Sequence, residues 1–492
     1  MECRYAWRFW PRRWGRQDEK LISPQSDTEI LLQFYLPGWS SLWLRVSLVM
    51  IVGWEGDLNP RKENYSLLVK GGRLIDPAAK IDATMDVLLR DGQVAEIASP
   101  GKTRATAHEK FDARGLVVAP GFIDLHVHLR EPGQGYKETI ATGTAAAAAG
   151  GFTSVCCMPN TQPVVDSPEW VTWLQQPERG AVVNVFPIAA ATHASKGAVL
   201  TDFRALQRAG AVGVSDDGKP ILNDSVMRET LRLSSEINLP VIQHAEDTRM
   251  TDRCSMNDGP TAFRLGLRGM KAAAEAAVVE RDVQLAQQFT GARLHVAHLS
   301  TADALKAVRR GKRSKSRVTC EVTPHHFVLT DADVGEYDSN YKMNPPLRSD
   351  SDREAIMVAL GDGTVDAIAT DHAPHAPHEK IIEFERAAFG ITGLETALGL
   401  AITHLHRGQK ISLSRIVELL TSGPARVFSL RGRGTLIRGS HADVTIFDPQ
   451  KRWTFDAAKS HSRSQNTPFG GAQLTGKVVA TIVSGRVVYR TE

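Results

Sequence analysis

Three observations predict an α/β fold, a (β/α)8 TIM-like barrel with a small composite β-sandwich formed by the segments flanking it. Eight short apolar segments alternate with helix-like stretches through the middle of the chain. Most of those segments close on a polar or metal-capable residue, as barrel strands do at the end that carries chemistry. Two β-rich segments bracket the whole series, one before it and one after it.

The first β-rich segment begins at Ser66. SLLVKGGRLI and MDVLLRDGQVAEIA read as strands joined by turns at Gly-Gly and Asp-Gly. ADVTIFDP and ATIVSGRVVY repeat that style near the C-terminus, and because chain ends often lie close together in a domain the two segments are expected to share one sandwich. The barrel strands are expected at 121–127, 153–160, 183–190, 211–217, 240–246, 293–300, 318–326 and 366–372. Between the first two lies YKETIATGTAAAAAGG, an Ala-rich helix that stops on Gly150 and Gly151. The expected boundaries are 1–62 for an N-terminal extension outside the catalytic fold, 63–118 and 431–492 for the two parts of the sandwich, and 119–430 for the barrel.

The extension differs in composition. Five arginines fall in its first sixteen residues, and six of the nine tryptophans of the chain lie before residue 55. The charge-free run from Leu31 to Leu44 is shorter than the roughly 20 residues a membrane-spanning helix needs. The extension reads as dispensable, with Met50 as an internal start. The chain as a whole has 492 residues and a net charge of +4, too small for its length to indicate a nucleic-acid partner. Its five cysteines include no CxxC, which argues against a disulfide framework and for a cytoplasmic setting. Cys156 and Cys157 are expected in a core strand.

A His-x-His spacing arises easily by chance among 16 histidines, and the chain has two. His404-Leu405-His406 lies in a stretch of helical periodicity, where residues two apart point in nearly opposite directions and cannot share an ion. His126-Val127-His128 closes a strand, where residues two apart face the same side, with Asp124 expected on that face too. Asp217, His244, His298 and Asp371 stand at other strand ends. Imidazoles and carboxylates without thiolate suit a catalytic zinc site with a position left for water. His295 is expected to face away from His298, as a core or helix-facing residue. His108, His441 and His461 are expected in turns or loops, exposed to solvent.

At these motifs the chain resembles the dihydroorotases of the amidohydrolase superfamily, in particular the bacterial class I type. The resemblance runs from about Tyr65 to the C-terminus through PGFIDLHVHLREPGQGYKET, MPNTQPV, SDDGKPI, VIQHAED, HVAHLST, EVTPHHF, KMNPPLR, IATDHAPH and AAFGITGLET. It implies zinc held by His126, His128, Asp217, His244 and His298, with Asp371 both ligand and catalytic acid/base. It implies one or two zinc ions per subunit, two favoured, with Asp217 bridging them where many relatives use a carboxylated lysine. Asp216 is expected to point to the other strand face. Substrate contacts carry over to His128, Arg130, Asn160, Asn344, His375, Phe389 and Gly390. The stretch from Ala373 to Gly393 is expected to form a loop over the site. Two departures, Gly423 where asparagine is usual before PAR and His378 where an acid is common, touch no expected ligand.

The implied reaction is the reversible cyclisation of N-carbamoyl-L-aspartate to L-dihydroorotate in pyrimidine biosynthesis, with neither nucleic acid nor membrane as a partner. Homo-oligomerisation and association with an aspartate transcarbamoylase stay open. The rival readings are another cyclic amidohydrolase (hydantoinase, dihydropyrimidinase or allantoinase) and an inactive dihydroorotase-like scaffold subunit for aspartate transcarbamoylase. The missing bridging lysine speaks against the first, and the complete set of six ligands against the second.

Overall fold

A computed structural model of the protein describes residues 65–103, 106–314 and 316–491. The expectations for the N-terminal extension and for Met50 lie outside the described residues.

The chain first lays down β1 (Ser66–Asp76), β2 (Ile81–Arg90), β3 (Gln93–Ala98), β4 (Glu109–Asp112) and β5 (Val117–Pro120). The barrel follows, from β6 (Phe122–Val127), β7 (Phe152–Cys157), β8 (Asn184–Ala189), β9 (Gly213–Val214) and β10 (Val241–Gln243). A two-stranded ribbon, β11 (Met256–Asn257) and β12 (Gly269–Met270), interrupts it. Strands β13 (Arg293–Val296), β14 (Arg317–Val322) and β15 (Ala367–Ile368) complete the barrel. The chain ends in β16 (Val444–Thr454), β17 (Gln473–Val483) and β18 (Arg486–Arg490).

Eight parallel strands run in the order β15-β14-β13-β10-β9-β8-β7-β6, and a bridge between Val127 and His372 links the two edges. The amide of His128 donates to the His372 carbonyl at 2.9 Å across that seam. Ile123, Leu125, Cys156, Ile188, Ile242 and Ala367, from five strands, pack in one buried cluster that fills the barrel. The helix expected after β6 spans Ile140–Ala149: the Thr139 side chain caps it by accepting from the Thr142 amide, and Gly150 ends it.

The flanking segments form one eight-stranded sheet, β18-β17-β16-β5-β1-β2-β3, with β4 beside β1. β16 runs antiparallel to β5, pairing Val444 with Pro120 and Phe447 with Val117, so the last β-segment completes a sheet begun by the first. Cys156 and Cys157 are buried in β7, and burial pushes the Cys157 thiol up to about 12. Among the described residues no helix is long and apolar enough to cross a membrane.

Several barrel strands stop short of their expected ends. β9, β10, β13 and β15 close at Val214, Gln243, Val296 and Ile368, ahead of Asp217, His244, His298 and Asp371. The polar side chains thus stand on the turns that follow the strands. The pleat no longer dictates their direction there.

Candidate metal centre and active site

Six side chains meet at the C-terminal mouth of the barrel. His126 Nε2 lies 3.4 Å from Asp371 Oδ1 and 3.6 Å from Asp217 Oδ1. His128 Nε2 lies 3.0 Å from Asp371 Oδ1 and 3.8 Å from Asp217 Oδ2. His244 Nδ1 and His298 Nε2 are 3.0 Å apart, and each is 3.8 Å from Asp217 Oδ1. All six are buried. They form three overlapping triplets of potential ligand atoms, each within 4.8 Å: His126–His298–Asp371, His126–His128–Asp217 and Asp217–His244–His298. His126 Nε2 and His298 Nδ1 are buried without a hydrogen-bond partner. An orphaned imidazole nitrogen facing two carboxylates, as His126 Nε2 does, is costly in an empty core, and a cation satisfies it. The donor set therefore fits a divalent metal.

Irregular backbone aims these groups. The pairing of β6 with β7 shifts register between Asp124 and Val127. Ile123 and Leu125 fill the barrel below that irregularity, whereas His126 and His128 reach the mouth above it. The expectation that Asp124 shares the histidines' face is thereby corrected. Asp124 instead accepts hydrogen bonds from the His126 amide, the Thr370 amide and Thr370 Oγ1, tying β6 to the strand end that carries Asp371. Arg130, His298 and Asp371 all have positive φ, at 62°, 31° and 46°. Such conformations cost about 1–3 kcal/mol each for non-glycine residues, and their gathering at one mouth is the usual signature of a working site. Asp216 points away and accepts from the amide and hydroxyl of Thr192, as expected.

Burial opposes charge on Asp217 and Asp371, but the surrounding imidazoles outweigh it and hold both carboxyls well below the ordinary range. Beside them the Arg130 guanidinium is buried. Nε donates to the Pro374 carbonyl at 3.1 Å, and Nη2 lies 3.2 Å from His375 Nε2. Among the described residues no carboxylate is within ion-pair distance of it. Burial lowers Arg130 to about 10 despite the pull of Asp371 and Asp217. Burial and the charge of Arg130 also lower His375 to about 3, so its imidazole is neutral. A buried cation without a counter-charge is an anion receptor in waiting.

Asn160 bridges the two halves of the cluster. Its Oδ1 lies 2.9 Å from His128 Nδ1, and its Nδ2 donates to Asp217 Oδ2 at 2.9 Å. Asn344 stands on the far side, donating to Glu246 Oε2 at 2.9 Å, next to His244. Phe389 and Gly390 lie on the loop after Asp371. A Cβ at Gly390 would sit 2.5 Å from the Ala373 carbonyl oxygen, which explains the glycine there. That loop is fastened. Lys342 Nζ donates to the carbonyls of Phe384 and Glu385 and lies 4.4 Å from the Phe389 ring centre. Lys380 Nζ donates to the carbonyls of Ala388 and Gly390.

Four supporting residues escaped the reading of the sequence. Glu321 is buried in β14, with Oε1 3.2 Å from His126 Nδ1 and Oε2 3.1 Å from His295 Nε2. His295 is buried in the core, as expected, in a polar layer of the barrel where it also meets Thr319 Oγ1 at 2.9 Å. An acid within an otherwise apolar strand was the available signal, because such a residue is rarely buried unpaired. Glu246 contacts His244 Nε2 at 3.0 Å, two residues beyond it in sequence. Glu138 is buried against His372 Nε2 at 3.2 Å and Ser462. Asn466 accepts from the His375 amide and donates to the carbonyls of Ala373 and Gly390. No local pattern marks Asn466, since its partners lie more than 70 residues away. His108 and His461 are exposed, as expected; His461 pairs with Glu395 at 3.3 Å, and His108 Nδ1 lies 2.9 Å from Ser66 Oγ.

A parallel eight-stranded barrel with buried imidazoles and carboxylates at its C-terminal mouth defines a metal-dependent hydrolase of the amidohydrolase class. Comparison with known proteins narrows this. A family model described as dihydro-orotase-like matches residues 115–304. The dihydroorotase of Solibacter usitatus is 52% identical over 420 residues, covering 85% of this chain and 97% of that protein. The dihydroorotase of Geobacter sp. strain M21 is 49% identical, covering 86% and 99%. Among solved structures, the L-hydantoinase (dihydropyrimidinase) from Arthrobacter aurescens superposes with a TM-score of 0.78 at 25% identity, covering 87% of this chain and 96% of that one. The chain belongs to the dihydroorotase family.

Proposed function

We propose that the protein catalyses the reversible ring closure of N-carbamoyl-L-aspartate to L-dihydroorotate, using the cluster at the barrel mouth. The observation that carries this reading is the buried, carboxylate-free guanidinium of Arg130 beside the six ligands. Dihydroorotate has a ring carboxylate for it, whereas the uncharged rings of dihydrouracil or hydantoin leave it unpaired. Identity near 50% to dihydroorotases, against 25% to the L-hydantoinase, points the same way.

In this reading His126, His128, Asp217, His244, His298 and Asp371 would hold zinc. Asp217 is the ligand common to both halves of the cluster, because its carboxylate lies within 3.8 Å of all four imidazoles. When bound, zinc supplies Lewis acidity at the ring carbonyl and brings the pKa of water down towards about 7. In the hydrolytic direction water attacks the ring amide carbon. Asp371 accepts the proton and passes it to the departing ring nitrogen. Ring closure uses the same group in reverse. Arg130 holds the substrate carboxylate by paired hydrogen bonds, and neutral His375 and Asn160 complete that pocket. Asn344 and the Phe389–Gly390 backbone bound the far side of the ring. Glu321 and Glu246 fix the orientation of His126 and His244 by accepting from the ring nitrogen turned away from the ion. The reaction is assigned to the cytoplasm.

The test is turnover of dihydroorotate by the purified protein before and after removal of metal with a chelator. Activity that disappears with the metal and returns with zinc supports the reading. Full activity in protein shown to be free of metal contradicts it.

A further inference from the structure

A second concave site lies at the opposite end of the barrel. A cavity of about 440 Å3 opens where Phe186, Val212, Pro240 and Arg293 stand near the starts of β8, β9, β10 and β13. Arg293, Arg431, Arg433 and His441 line it, and among the described residues no aspartate or glutamate does. Asp443, the acid that meets Arg433, is already engaged. It pairs with Arg433, accepts from Asn184 Nδ2 at 3.2 Å, and accepts from the Ser484 amide at 2.8 Å. Arg293 is buried, with bonds to the carbonyls of Asn238, Arg426 and Val427 and no ion pair among the described residues. Arg431 is exposed on the rim. Positive charge thus exceeds negative around a cavity of the size that holds small metabolites. Burial holds Arg293 down at about 10, as expected for a cation short of counter-charge, and it lowers Arg433 as well although Asp443 pairs with it.

We infer that this cavity binds a phosphorylated small molecule, its phosphate facing Arg293, Arg431 and Arg433 and its body against the apolar wall that includes Phe186, Leu239 and Phe428. Guanidinium groups suit phosphate by their planar fork and their permanent charge. The volume exceeds what a bare phosphate ion fills, and the apolar wall gives an organic portion something to contact. The site is separate from the substrate pocket, where Arg130 sits at the other end of the strands. It does not depend on which ring the active site opens.

Titration calorimetry on the metal-loaded full chain tests the inference, with inorganic phosphate, ribose 5-phosphate, AMP and UMP as probes. At least one ester is expected to bind with one-to-one stoichiometry, more tightly than inorganic phosphate. Arg431→Glu and His441→Glu, both at exposed positions, should each weaken it by about tenfold or more, since the first turns an attractive charge into a repulsive one and the second places a repulsive charge on the cavity wall. Arg130→Met should bind it as the wild type does. Absence of binding by every ester, affinity unchanged in Arg431→Glu and His441→Glu, loss of binding in Arg130→Met, or equal affinity for inorganic phosphate and the esters would overturn the inference.

Discussion

The chain contains the same three-residue spacing twice, and the two copies have opposite fates. His126 and His128 follow a strand whose register breaks, and their rings meet at 5.2 Å between centres within reach of Asp217 and Asp371. His404 and His406 lie on the π-helical segment Ala401–Gly408. There His406 Nδ1 donates to the Ile411 carbonyl at 2.8 Å, and burial with the nearby Arg353 charge lowers His404. Residue identity and spacing are equal. What differs is the backbone that carries them and the acids that surround them. A metal motif is therefore a statement about geometry, and the sequence expresses it only through the element on which the motif sits.

The comparison can be broken most severely at the acid shared by the first pair. Asp371→Asn removes the proposed proton carrier and should cut kcat by about two orders of magnitude or more while circular dichroism shows an unchanged fold. A variant retaining above about a tenth of wild-type kcat would remove Asp371 from the acid/base role. A smaller loss is expected behind the first pair. Glu321→Gln should weaken metal binding by about 10–100-fold, read by chelator competition, because one amide oxygen and no charge replace the two carboxylate oxygens that serve His126 and His295. Unchanged affinity would reduce Glu321 to packing.

Acid sharpens the picture near Arg130. The Glu379 carboxyl is lowered from 4.5 to about 2: burial raises it, and the Lys137 ammonium, 2.8 Å away, more than offsets that. Its folded-state value is depressed, so its stabilisation is complete above the ordinary value and is lost as pH falls from 4.5 towards 2. The gap in urea midpoint between wild type and Glu379→Gln should therefore narrow as pH is lowered through that window. A gap that stays constant would mean the pair does not shift the carboxyl. The smallest effect belongs to the second motif. His404→Gln should leave zinc content and kcat/KM at wild-type values, and a loss of metal from that variant would undo the contrast between the two copies.

Much of the fold was legible because strand–helix alternation and the flanking β-segments are local patterns. Six of the strand-end groups could be picked out because imidazoles and carboxylates recur at one end of apolar runs. The failures have physical causes. The alternation rule placed Asp124 wrongly because it presumes a regular pleat, and register shifts between Phe122 and Val127 break it in β6. Asn466 and Glu138 act through contacts between distant segments, and a single sequence carries no trace of those. The arginines of the barrel's lower cavity come from four separate stretches of chain with Phe186 and His441, and no window of sequence displays them together.

The most direct measurement of the central claim is steady-state kinetics of wild type and Arg130→Met with dihydroorotate and dihydrouracil. Depriving the substrate carboxylate of its buried partner should cost ~3–5 kcal/mol, which is roughly two to four powers of ten in kcat/KM for dihydroorotate. Wild type should process dihydrouracil poorly, and the substitution should change that slow rate little, so the preference narrows without abolishing turnover. Equal wild-type efficiency on the two substrates, or an Arg130→Met variant unchanged on dihydroorotate, would contradict the assignment of Arg130 as the carboxylate receptor and favour a hydantoinase-like specificity.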